Sequence, residues 1–251
     1  MFTFDQTPVK FVGLLVLLTW CTIWCARELA RSRGARQRIC DALHLLMAVV
    51  MLAMVPKPVW MALTGAIPVP VVVAAFAAAT LWFVWLTAGA PGRSARPDDD
   101  ADHACAGRAH AGHAAMFAAM TWHLAAMAVK ASARTELGMG PAMHQWMEQA
   151  GRPGRVLWVF ALVGLPFMAY LLIAGALALW RALRPGGAVN TDESAAHAPA
   201  AHGDCGCRDG RSDAVGHRLA ALSDFAMNFG MFWMSTGLLT PILPFFAALA
   251  F

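Results

Sequence analysis

Long apolar runs, separated by short clusters of charge, dominate the chain. Six of them, at 11–29, 42–59, 67–88, 114–129, 156–180 and 219–240, contain almost no charged residue. A helix needs about 20 apolar residues to cross a hydrocarbon core of about 30 Å, where every backbone polar group must be satisfied internally. The pattern therefore predicts an all-α fold, a polytopic bundle of about six transmembrane helices forming one domain over residues 1–251. The first run carries Arg27 and Glu28 only in its last turn, within reach of the headgroups. The fourth is the shortest and extends both ways through weakly polar residues. The final segment, 241–251, is apolar but broken by Pro241 and Pro244. It reads as a re-entrant or interfacial tail, or else as an extension of the sixth helix.

Composition closes off the soluble alternatives. Hydrophobic residues make up 59% of the chain and charged residues 14%, against about 25% charged in a soluble domain. The first run lacks a preceding basic region and a small-residue cleavage site, and Arg27, Arg31, Arg33, Arg36 and Arg38 follow it. That is a stop-transfer pattern rather than a signal peptide. Cytoplasmic loops carry the excess of Lys and Arg. With the N-terminus outside, thirteen basic residues fall inside, in clusters at 27–38, 93–108 and 181–218. Six fall outside: Lys10, Lys57, Lys130, Arg134, Arg152 and Arg155. The second, fourth and sixth helices then all run from the inside to the outside. None of the six cysteines lands on the oxidising face, so a disulfide framework is not expected. The net charge of +4 reflects this inside bias, and no basic-aromatic patch points to nucleic acid.

Two inner segments, 90–112 and 185–215, are rich in Ala, Gly, Asp and Arg or His, and read as flexible loops. The outer segment 131–153 is Met-rich, and 142–150 within it has the composition of one or two helical turns.

Aligning the even-numbered helices exposes a repeat. The second reads His44, Met47, Met51, Met54; the fourth His113, Met116, Met120, His123; the sixth Asp224, Met227, Met231, Met234. Each has a polar residue followed by steps of three, four and three, which keep all four side chains on one helix face. With 15 Met in the chain, one such match arises by chance with a probability on the order of 10⁻⁴ to 10⁻⁵ per window. Thioether and imidazole are ligands for Cu(I), and thioethers select it over hard cations. Facing inward, the stripes would stack in layers: Met47, Met116 and Met227; Met51, Met120 and Met231; Met54, His123 and Met234. His44, His113 and Asp224 would form a polar ring at the inner mouth. Met is also an adaptable packing residue, so a core without metal is the plain alternative.

Soft donors recur outside the helices. Met139, Met143, His144 and Met147 lie on the outer segment, and His197, His202, Cys205 and Cys207 on the inner one. His103, Cys105 and His110 precede the fourth helix. Cys21 and Cys25 share a face of the first helix and read as small packing residues, with an accessory ligand role as the lesser alternative. There is no P-loop, dinucleotide fingerprint or Ser-His-Asp arrangement, so a transporter or metal-binding protein fits better than an enzyme.

Two resemblances follow from these residues. The His44–Met54 and His113–His123 stripes, in a six-helix chain of high Ala and Arg content, resemble an actinobacterial multi-span membrane family catalogued as domain of unknown function 5134. The pairs Met47 with Met51, Met116 with Met120, and Met227 with Met231 are similar to the Met-x3-Met motif of the high-affinity eukaryotic copper-uptake channels. That likeness implies Met rings along a pore, a Met-rich exterior and a Cys/His interior motif. Here one chain would supply all three pore helices, six spans replace three, and no Gly-x3-Gly motif follows the Met pair.

The resulting expectation is a Cu(I)-binding protein of the bacterial plasma membrane that conducts or hands on copper. Outer Met residues would collect it, and Cys205 and Cys207 would offer it to a cytosolic copper chaperone. Haem b held by two of His44, His113 and His123, or by a His/Met pair, is the alternative; a metal-free scaffold is the third reading. The topology has its own check. A reporter active only outside the cytoplasm will work when fused after Gly151 and stay silent after Arg93 or Arg184; the opposite pattern inverts the orientation.

Overall fold

In hydrocarbon a chain must close its backbone hydrogen bonds within itself, and the computed structural model does so with helices throughout. It describes residues 8–88, 99–138, 140–184, 214–240 and 242–243, with the side chains of 99–109 and 214 excepted. Helices α1 (Pro8–Arg31), α2 (Ala35–Met54), α4 (Val69–Ala88), α5 (Asp99–Leu137) and α7 (Val156–Leu183) each contain a stretch long and apolar enough to span a bilayer. Between them lie the short helices α3 (Lys57–Ala66) and α6 (Pro141–Ala150). The chain then continues through α8 (Ala214–Ser235) into a 3₁₀ turn (Thr236–Leu238).

Helix α8 carries Asp224, Asn228 and two serines, so its length and composition alone do not mark it as a span. Its packing joins it to the bundle. Cys21 meets Ser223 near the C-terminal end of α1, Leu18 meets Gly230, and Lys10 meets Thr236 near the N-terminal end of α1. The two helices therefore run antiparallel, side by side.

α1 lies against α2 and α8, α7 against α8 and α5, and α5 against α4. Contacts of His44 with Phe83 bring α2 back to α4 and close a ring of six. Around this ring α2, α8 and α5 alternate with α1, α7 and α4, and the first three all contribute methionines to one buried core. Small residues set the close approaches, as is usual between membrane helices. Gly13 receives the Trp233 indole, and Gly164 receives that of Trp122, whose Nε1 donates to the Phe160 carbonyl at 2.9 Å.

Three boundaries depart from the sequence pattern. The second apolar run was expected to continue to 59, but α2 ends at Met54. Pro56 has no N–H to continue the ladder, and residues 57–66 form α3 instead. The expected flexible loop at 90–112 is helical from Asp99, because Ala101, Ala104, Ala106, Ala109 and Ala111 supply strong helix formers. At the other end α5 continues to Leu137 and stops where Gly138 takes φ 71°, its N–H bonded to the Arg134 carbonyl at 3.0 Å. That left-handed residue is the usual end of a helix. The outer segment is thus mostly α5 and α6. Residues 185–213 and 244–251, where the second loop and most of the tail were read, lie outside the described residues.

The glycine contacts make a testable contrast. A Cβ at Gly164 would overlap the pinned Trp122 ring, whereas one at Gly175 would sit 3.5 Å from the Phe229 backbone. In detergent melts Gly164→Ala will lower stability by about 1–3 kcal/mol, while Gly175→Ala will leave the midpoint nearly unchanged.

Candidate functional site

Methionines from three helices fill the middle of the ring. Met47, Met51 and Met54 of α2, Met116 and Met120 of α5, and Met227, Met231 and Met234 of α8 all belong to one buried core, and none is more than 7% exposed. Met127 packs against its edge. Three contacts link these helices: His44 lies beside His113, Met51 places its methyl near Gly230, and His123 reaches Ser235. They are consistent with the expected layers of Met47, Met116 and Met227, of Met51, Met120 and Met231, and of Met54, His123 and Met234.

The end of the core beside the Arg27–Arg38 cluster is built from imidazoles and phenyl rings. The His44 Nδ1–H donates to the Cys40 carbonyl at 2.7 Å, so the Nε2 of a neutral His44 is an acceptor. His113 Nδ1, 3.0 Å away, must then be the donor, which leaves the His113 Nε2 lone pair free for another partner. Phe83 and Phe117 wall this pair, with ring centroids 5.3 Å from His113 and 5.6 Å from His44 respectively. One turn before His113, the buried His110 accepts from Arg36 Nη2 at 3.3 Å. This bond assigns the proton to His110 Nδ1, which is buried and has no hydrogen-bond partner among the described residues.

The opposite end is capped by hydroxyls. His123 is buried and bonded through Nδ1 to Ser235 Oγ at 2.7 Å. Lys10 is buried too, and donates to Thr236 Oγ1 at 2.9 Å; Thr236 in turn donates to the Trp233 carbonyl. The sequence pattern had assigned Lys10 to the outer aqueous charge.

The other candidate residues are scattered. Asp224 is exposed, unlike the two histidines with which it was grouped. Met143 is half-buried on α6, while His144 and Met147 are exposed there. Met139, His197, His202, Cys205 and Cys207 lie outside the described residues, as do the side chains of His103 and Cys105. Among the described residues, no three His, Cys, Asp or Glu side chains gather closely enough to hold a metal ion. A metal in the core would rest on thioether sulfur, with imidazole at either end.

Sequence reasoning passed over Phe83 and Phe117, the aromatic walls of the histidine pair, and Ser223, which meets Cys21. An apolar run gives no sign of which Phe faces inward, and Ser223 lies one position from the stripe that drew attention to α8.

Five helices long and apolar enough to cross a bilayer, packed around a buried core, define a multi-pass α-helical membrane protein. Residues 36–236 match the family model described as Domain of unknown function (DUF5134), well over half of the chain, and the protein belongs to that family. No curated protein and no solved structure matches it.

The histidine pair can be weighed directly. In a double-mutant cycle with His44→Leu and His113→Leu, measured by denaturation in detergent, the two changes will be non-additive by about 0.5–3 kcal/mol. Additive losses would mean that the bond contributes nothing to folding.

Proposed function

We propose that this protein binds Cu(I) within the cell membrane and passes it between α2, α5 and α8 by ligand exchange. One observation carries the reading: methionines from three helices belong to one buried core, with a His44–His113 pair and a His123–Ser235 pair beside it. Thioether sulfur favours soft monovalent copper over the hard cations that carboxylates hold. A +1 charge among neutral sulfurs in hydrocarbon is costly, so each layer would bind weakly and release readily, as transfer requires.

The core is packed, which argues for stepwise transfer rather than an open pore. Met has three rotatable side-chain bonds and rearranges easily, so an ion can be handed from one sulfur layer to the next as side chains turn. Met139, Met143, His144 and Met147 would gather Cu(I) outside. His44 and His113, with the exposed Asp224, would receive it at the inner end. Cys205 and Cys207 would present it to a cytosolic acceptor such as a copper chaperone.

Haem b is the competing reading. The direct His44–His113 hydrogen bond gives it less support, because two axial imidazoles need the porphyrin plane between them. The methionine layers also have no role in that account. A scaffold with an adaptable core is the remaining reading.

Purified protein titrated with Cu(I) against a competing chelator decides among them, beside a Met47→Leu, Met116→Leu, Met227→Leu variant. Met-to-Leu changes conserve volume and cost less than about 1.5 kcal/mol each, so the variant should keep its fold. Wild type will retain Cu(I) and the variant will lose it. Equal binding in both, or none in either, would sink the copper core, and a visible absorption band on the purified protein would favour haem.

A further inference from the structure

Helix α1 holds a second sulfur pair that the methionine reading does not use. Cys21 and Cys25 are one helical turn apart, both buried, with their Sγ atoms 4.0 Å apart. They face α8, where Cys21 Sγ lies 3.6 Å from Ser223 Oγ and 3.9 Å from the Ser223 carbonyl oxygen. Asp224, the next residue, is near enough to act electrostatically on both thiols.

We propose that Cys21 and Cys25 form a two-sulfur site for a monovalent thiophilic cation of the Cu(I) type. With metal–sulfur bonds of about 2.3 Å, two sulfurs at the observed 4.0 Å separation subtend roughly 120° at a shared ion. That is the angle of a trigonal centre, and the pair needs no backbone movement to reach it. Soft sulfur selects the ion, and the apolar surroundings select its charge. Hydrocarbon disfavours a net charge, and a monovalent ion on one thiolate and one thiol is neutral. A divalent ion would stay charged on that pair, or would need both thiolates and further ligands that the described residues do not gather. Binding is balanced as Cu⁺ plus two thiols giving the copper thiolate–thiol complex and one proton, which leaves toward the inner aqueous phase.

The site stands independently of the methionine core, because thiolate coordination releases a proton and thioether or imidazole coordination does not. The test uses the full chain in detergent under reducing conditions. Cys40→Ala, Cys105→Ser, Cys205→Ser and Cys207→Ser leave Cys21 and Cys25 as its last thiols. Titration with Cu(I) will raise a near-ultraviolet thiolate-to-copper band that saturates at about one ion and releases about one proton per ion. The band will persist when Met47, Met116 and Met227 are changed to Leu, and will vanish when Cys25→Ser is added. No band, or a band unchanged by Cys25→Ser, overturns the proposal. Should the four-substituted chain fail to fold, Cys21→Ser/Cys25→Ser in the otherwise wild-type protein will lose one equivalent of the band, and an undiminished band overturns it equally.

Discussion

Between helices immersed in lipid, apolar side chains gain little by leaving the solvent, since the acyl chains are as apolar as they are. Association then depends on close fit and on hydrogen bonds that cannot be made elsewhere. The structure meets that constraint at its centre. Alternating helices converge on a methionine-filled axis, and polar pairs at its two ends hold the alignment. His44 with His113 ties α2 to α5; His123 with Ser235 ties α5 to α8. A slip of either pair by one turn would leave buried polar atoms unsatisfied, at about 1–3 kcal/mol each. The ends therefore fix what the flexible middle cannot.

The same division of labour bears on specificity. A core of thioethers is forgiving in shape and tolerates many rotamers, whereas the imidazole ends are held by oriented bonds to Cys40 and Ser235. Any cargo would meet defined donors at entry and exit and adaptable ones between them. The Cys21–Cys25 pair adds a third chemical environment on the flank of the same core.

Much of this was legible in the chain. Apolar run lengths gave the spans because the bilayer imposes a length, and the three-four-three spacing placed the methionines on one face because helix geometry does. The polar first residues were a poorer guide: His44 and His113 meet, but Asp224 is exposed. What the chain concealed depends on contacts between distant residues. Nothing local says that Lys10 finds Thr236 rather than water, that Phe83 stands beside His113, or that Asp224 is exposed while Ser223 beside it is buried. The early start of α5 was hidden for another reason: acidic and small residues looked like a loop, and Ala content made them a helix.

That helix has a mechanical consequence. At about 1.5 Å per residue, its 39 residues form a rod about 58 Å long, nearly twice the hydrocarbon thickness of about 30 Å. It contains no proline at which to bend. Such a rod extends well past the hydrocarbon, so one continuous element joins the bilayer core to the layer beyond it, and it carries His113 and His123, two of the three histidines beside the core.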